Sequence, residues 1–185
     1  MNTYYSPDNF YNIFSDCPNL SSITIQNGVT AIPSYAFKDC TTLTTINIPE
    51  SVTEINHYAF SGCTGLTKIT IPSTVESIGS YAFSGCTNLS DVTISEGVEY
   101  LYSYSFENCT SLSTITIPSS LTTIRNYSFN GCTNLSSVTF TDPRNWVIWD
   151  NDNNEYIYID CSTPGTNATN LKETYVYKDL YKHEN

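Results

Sequence analysis

Residues 63–86 read CTGLTKITIPSTVESIGSYAFSGC, and the pattern starts again as soon as it ends. Its cysteine recurs as Cys17, Cys40, Cys63, Cys86, Cys109 and Cys132, at a constant interval of 23 residues. Self-similarity at a fixed period of about 20–29 residues, anchored by leucine-type positions, is the mark of a solenoid in which each unit buries its apolar face only against its neighbours. Function in such a molecule is to be sought on a surface rather than in a pocket.

Inside the unit the first anchor is Leu66, repeated as Leu20, Leu43, Leu89, Leu112 and Leu135. Ile69 and Ile71 follow with period two, as do Ile23 and Ile25 or Ile46 and Ile48, and period two means a strand with one face inward. The β-branched residues Thr and Ile fill this segment, and Pro49, Pro72 and Pro118 close it where a missing amide donor does least harm. Each repeat therefore adds one short strand to a parallel sheet. A second apolar pair, Val75 and Ile78 here, gives the return path inward contacts of its own and predicts a second sheet of shorter strands. The unit turns back through Tyr-Ala-Phe or Tyr-Ser-Phe. Phe37, Phe60, Phe83, Phe106 and Phe129 each precede a cysteine by three residues, a spacing that suits a helical turn with both side chains on one face. The phenylalanines are expected to stack as a spine with the cysteine ladder beside them.

At 185 residues and 39% hydrophobic content the chain suits one domain with a continuous core. Charged residues make up only 14%, with a net charge of −11. A nucleic-acid partner calls for a clustered basic face. Here Lys38, Lys68, Arg125 and Arg144 are scattered, and Lys172, Lys178 and Lys182 are balanced by Glu173, Asp179 and Glu184. No run approaches the roughly 18–20 apolar residues that span a bilayer, so no membrane insertion is expected. The opening MNTYYSPDNFYNIF lacks the basic start and apolar core of a signal peptide, so the chain is expected either to be made without a signal or to be a fragment of something longer.

Candidate chemistry is thin. Metal ligands cluster at short spacings, whereas the cysteines are at least 23 residues apart, and parallel side chains at equivalent positions give the wrong torsion for a disulfide. Free, buried thiols are expected. His57 falls in a turn column otherwise held by Ser34, Ser80, Ser103 and Asn126, and His183 lies in a tail expected to be mobile. No nucleophile elbow, zinc-protease, phosphate-loop or dinucleotide motif occurs, so the chain reads as non-enzymatic and without a cofactor. Asp150 to Asn154 alternates oxygen ligands like a calcium loop, but Glu155 and Cys161 stand where the loop requires Gly and Glu, leaving a solvated turn. Of six N-x-S/T triplets, beginning at Asn19, Asn88, Asn108, Asn126, Asn134 and Asn167, only Asn167 reads as an exposed glycan acceptor.

The outward residues of the strands form a hydroxyl-rich strip: Thr24, Thr45, Asn47, Lys68, Thr70, Asp91, Thr93, Thr114, Thr116 and Thr139, with Ser22 and Ser137. Lys68 and Asp91 stand on adjacent strands and are expected to pair. The strip lacks the Trp, Tyr and Arg anchors that concentrate affinity. Aromatic residues lie instead in the return path, as Tyr35, Tyr58, Tyr81, Tyr104 and Tyr127 with Tyr100 and Tyr102, and in the insert, as Trp146, Trp149, Tyr156 and Tyr158. For each, packing competes with binding: the Tyr column packs on its neighbours, and Trp146 and Trp149 either seal the open end of the core or act as anchors.

The unit C-x-x-L-x-x-[IV]-x-[IF]-x-x-x-[VL]-x-x-[IL]-x-x-Y-[AS]-F-x-x-C, from Phe14 to Phe140, resembles the BspA-like, or Treponema-type, leucine-rich repeat family. The more common leucine-rich repeat carries Asn or Cys after the strand, where this chain has Gly28, Ser51, Thr74, Gly97 and Ser120. The resemblance implies a leucine-rich-repeat solenoid with its parallel sheet on the concave face, short strands and helical turns on the convex side, and about five full repeats between caps. Residues 1–19 would be the N-terminal cap, 20–141 the regular repeats and 142–185 an irregular last repeat and C-terminal cap. In that last unit Tyr158 and Cys161 reprise the Phe-x-x-Cys spacing, and Leu171 and Val176 match the leucine anchor and the second strand anchor. The family further implies a cell-surface or secreted module that binds host or matrix proteins. A self-associating or intracellular scaffold is the alternative, and glycan binding by the threonine strip a remoter one.

Overall fold

The computed structural model describes residues 12–150, 155–174 and 178–183. Each unit delivers two strands in turn: β1 (Ser22–Thr24) and β2 (Ala31–Ile32), β3 (Thr45–Asn47) and β4 (Glu54–Ile55), β5 (Lys68–Ile71) and β6 (Ser77–Ile78), β7 (Asp91–Ile94) and β8 (Tyr100–Leu101), β9 (Thr114–Ile117) and β10 (Thr123–Ile124), with β11 (Ser137–Phe140) opening the sixth. The odd strands stack in parallel, in register, as the pairs β1–β3, β5–β7 and β9–β11. The register is the 23-residue period itself, as in Thr70 opposite Thr93, so that a slip of one residue would turn every isoleucine outward. The second sheet is the longer run despite its two-residue strands: β2, β4, β6, β8 and β10 form one continuous parallel ladder.

Both sheets face a core of repeated columns in which Leu43, Leu66, Leu89, Leu112 and Leu135 are fully buried. The phenylalanine spine is present from Phe14 to Phe129, with neighbouring ring centroids 5.2–5.7 Å apart and planes within 9°. Beside it each thiol donates to the carbonyl of a phenylalanine one unit back: Cys63 to Phe37 at 3.0 Å, Cys86 to Phe60 at 3.1 Å, Cys109 to Phe83 at 3.2 Å and Cys132 to Phe106 at 3.1 Å. The same carbonyl accepts the amide of its own unit's cysteine, as Phe37 does from Cys40 at 3.1 Å. Burial pushes the Cys86 thiol up to about 12 and raises that of Cys63.

The segment expected to form a helical turn is a set of overlapping i→i+3 turns, which left-handed residues within it keep from becoming a helix. Tyr58 (φ 57°) and Gly62 (φ 73°) are such residues, and the same pairing recurs at Tyr35 and Asp39, at Tyr81 and Gly85, at Tyr104 and Asn108, and at Tyr127 and Gly131. A bulky residue at positive φ is strained. Face-to-face stacking of the five tyrosines, with centroids 4.4–4.8 Å apart, holds them there.

The C-terminal end departs from the repeat. β12 (Trp146–Asp150) and β13 (Glu155–Tyr158) form a hairpin, α1 (Pro164–Thr169) runs into a π-helical turn at Asn170–Thr174, and β14 (Leu180–Lys182) inserts antiparallel between β10 and β12. The return sheet thereby reaches eight strands and ends at β13. Several expectations are corrected here. Tyr158 does not extend the phenylalanine spine: it is 61% exposed on β13. Leu171 is buried, like the leucine anchor it matches, and sits in the π-helical turn, while Val176 lies outside the described residues. Asn167 is not an exposed acceptor. It is 2% exposed, and its Nδ2 donates to the carbonyls of Val138 (2.9 Å) and Cys161 (2.8 Å), docking α1 against β11. His183, placed by sequence in a mobile tail, donates its amide to Asn145 at 2.7 Å and packs its ring edge-on to Tyr156. Of the calcium-like stretch, 151–154 lie outside the described residues.

Candidate functional site: the outward strip of the repeat sheet

Alternation along each odd strand turns isoleucine inward and leaves its polar neighbour in water. Ile69 and Ile71 are at most 1% exposed, whereas Thr24, Thr45, Asn47, Lys68, Thr70, Asp91, Thr93, Thr114, Thr116 and Thr139 are all exposed. Parallel register collects them into rows: Thr24 beside Asn47, Thr70 beside Thr93, Thr116 beside Thr139. In the second row Lys68 Nζ donates to Asp91 Oδ2 at 2.7 Å, with both side chains more than half exposed. Such a pair contributes at most about 1 kcal/mol and cancels the only charges of the strip. What remains is an array of hydroxyls and one amide, able to donate and accept at every position, on a scaffold whose spacing is set by backbone pairing.

Trp146 is not on any surface. It is 1% exposed, donates Nε1–H to the carbonyl of Asp142 at 3.1 Å, and packs across Phe140 with ring centroids 5.0 Å apart. It closes the end of the core, and the anchor role does not fall to it. Trp149 lies three residues further along β12, opposite Tyr156. At the other end, beneath β1 and β2, a cavity of about 820 Å³ opens between Ile13, Phe14, Ile23, Val29 and Phe37. No titratable group lines it among the described residues, and it has the composition of an unfinished core rather than of a reaction site.

Two ionic clamps that the sequence reading missed fix the C-terminal end. Arg125 donates to Asp179 Oδ2 (2.7 Å) and to the Tyr181 hydroxyl (3.0 Å), while Asp179 Oδ1 takes the Asn126 amide (2.7 Å). Asp142 is gripped by Arg144 Nε and Lys182 Nζ, each at 2.9 Å. These two cations, Arg144 first, hold its carboxyl well below the usual range. The available signal was the period-two run Asp179, Tyr181 beside Lys182, which has no counterpart in the repeat.

Six successive copies of the BspA type leucine rich repeat region match residues 10–136. The chain belongs to the BspA-type leucine-rich repeat family. This BspA-type chain is 33% identical to a leucine rich cell surface protein from Faecalibacterium prausnitzii A2-165, over 82% of its own length and 41% of that protein, with a TM-score of 0.68. It is 31% identical to a Treponema pallidum leucine rich repeat protein, over 69% of its length and 60% of that one, with a TM-score of 0.64. A leucine-rich repeat protein from Eubacterium ventriosum is 25% identical over 66% of the chain and 40% of its own length, with a TM-score of 0.50. The chain thus spans between two fifths and three fifths of the length of these structures. No curated protein matches it.

Proposed function

We propose that this chain is a non-enzymatic, adhesin-like module that captures a host or matrix protein through the outward strip of its repeat sheet. The observation that carries the reading is the combination of ten exposed polar residues in register with a core that buries nearly all the repeated apolar residues of the middle turns. The cell-surface description of the Faecalibacterium relative supports placing such a module outside the cell. With its one ion pair internally satisfied, the strip binds by shape and hydrogen bonding, with little dependence on salt. Surface capture of a panel of matrix proteins and glycans tests this. Saturable capture of one protein, lost in a Thr70→Tyr/Thr93→Tyr variant that melts normally, supports the module. Capture of glycans alone moves the assignment to sugar recognition, and capture that survives the double variant removes the strip as the site.

A second reading, a scaffold assembling with its own copies, is favoured by β13. All four of its residues are exposed at the edge of the eight-stranded sheet, with Tyr156 at 49%, Ile157 at 38% and Tyr158 at 61%, and an exposed apolar edge is a template for strand pairing.

A further inference from the structure

In a repeat protein the recurring residues are explained by the stack, so an outward residue that breaks its column calls for another explanation. Tyr100 and Tyr102 are such a break. Where Tyr100 stands, the other turns place Ala31, Glu54, Ser77 and Thr123; where Tyr102 stands, they place Pro33, Asn56, Gly79 and Arg125. Both tyrosines are about two fifths exposed, at 41% and 40%. The neighbouring turn is bare beside Tyr102, because the Gly79 Cα runs so close to the backbone of Asn56 and His57 that a Cβ would lie 2.7–2.8 Å from it. Across that gap the Tyr102 ring meets the edge of His57, with centroids 6.2 Å apart and planes at 84°. The result is a shallow aromatic surface over β4, β6 and β8.

Arg125, next in the Tyr102 column, is paired to Asp179, and the unpaired charge beside the rings is acidic. Glu76 and Glu99 occupy the same column in adjacent turns, tied by the Glu99 amide to the Glu76 carbonyl at 2.8 Å, and Glu54 stands two strands from Tyr100 across Ser77. Among the described residues none of these three carboxylates has a hydrogen bond or ion pair. Lys38, Lys68, Arg125, Arg144, Lys172 and Lys182 are engaged by other acids, and of the described Lys and Arg side chains only Lys178 has no ion pair. Adjacent like charges on a sheet repel, and a bound cation relieves that repulsion.

We infer that this outer face of the return sheet docks a Lys- or Arg-rich segment of a partner protein, its cations lying over the rings of Tyr100 and Tyr102 and against Glu76 and Glu99. The chain makes the same contact internally: the Arg125 guanidinium lies 5.6 Å over the Tyr181 ring while paired to Asp179. Tyrosine and desolvated cation–aromatic contacts concentrate affinity, which the hydroxyl strip on the other sheet cannot do. This surface rests on the reading of the chain as a protein-interaction module but names a different face.

The test is fluorescence polarisation of the full chain with a labelled peptide of about 12 residues alternating Lys and Ser, at low salt and at about 0.5 M salt. A Glu–Ser peptide and neutral oligosaccharides serve as controls. The variants take residues the repeat already uses in the same columns: Tyr100→Ser/Tyr102→Asn and Glu76→Thr/Glu99→Thr. The Lys peptide is expected to bind saturably, to weaken about tenfold in each double variant, to be released by salt, and to be unaffected by Thr70→Tyr/Thr93→Tyr. No saturable binding, equal binding by both return-face variants, or binding of an oligosaccharide in place of the peptide overturns the proposal. If the tyrosine pair lowers the melting temperature, the glutamate pair decides alone. Because the probe is a peptide, failure of matrix-protein capture leaves this result standing, and peptide failure beside intact capture removes this face only.

Discussion

At the scale of the residue, the core is specified by a side chain that both fills space and donates a hydrogen bond. Each phenylalanine carbonyl from Phe37 to Phe106 receives one amide from its own turn and one thiol from the next, so the cysteine column satisfies a second lone pair without burying a strongly hydrated group. Native protein should therefore expose only Cys17, the one half-buried thiol, to a thiol reagent, with all seven reacting in denaturant. Sign and range of the pH effect follow. The unfolded thiols ionise near about 8.5 while Cys86 and Cys161 hold their protons to about 12. Above pH 8.5 the unfolded state thus binds fewer protons, and stability falls as pH rises toward 12. Urea midpoints at rising pH should show this decline, flattened in Cys86→Ala. Beside the ladder, Phe83→Ala in the fully buried spine should cost about 3–5 kcal/mol, read from the same denaturation curves. An unchanged midpoint would remove the spine as the source of cohesion.

At the scale of the element, the ends behave differently from the middle. β14 is a strand of three residues with no propensity strong enough to place it, and it is positioned by Asp179, held by Arg125 and Asn126 just past β10, and by Lys182, which reaches the Asp142 turn. Asp179→Ala leaves Arg125 and the Asn126 amide short of an acceptor, and should cost about 1–3 kcal/mol with selective gain of amide exchange in β14 and β12. If amides across the whole chain exchange faster together, β14 is integral to the solenoid rather than strapped to it. The β13 edge makes the opposite kind of prediction. Ile157→Lys places a charge on the exposed strand and should abolish concentration-dependent association seen by light scattering; association that persists would assign it to another surface.

At the scale of the whole molecule, legibility tracked repetition. Ile69, Ile71, Val75, Ile78 and Phe83 could be assigned to inward columns because four or five sister turns voted on each position, and the structure buries them all. The strip followed by simple alternation. Tyr158 and Asn167 were misplaced because each lies outside the regular repeats. A lone Tyr-x-x-Cys carries no register, and a polar N-x-T triplet gives no hint that its amide will be drawn inward to cap Val138. The long return sheet was foreseen only as short strands, since its extension by β14, β12 and β13 hangs on the join of β14 to the end of β10, across more than 50 residues of sequence, as with Arg125 and Asp179. The stacked tyrosines bring one last consequence, an optical one. Five phenol rings held nearly parallel at 4.4–4.8 Å share their electronic excitation, so the near-ultraviolet circular dichroism of this chain reports the alignment of neighbouring turns rather than the environment of any one ring. The solenoid carries its own gauge of coherence along the axis, readable without a label.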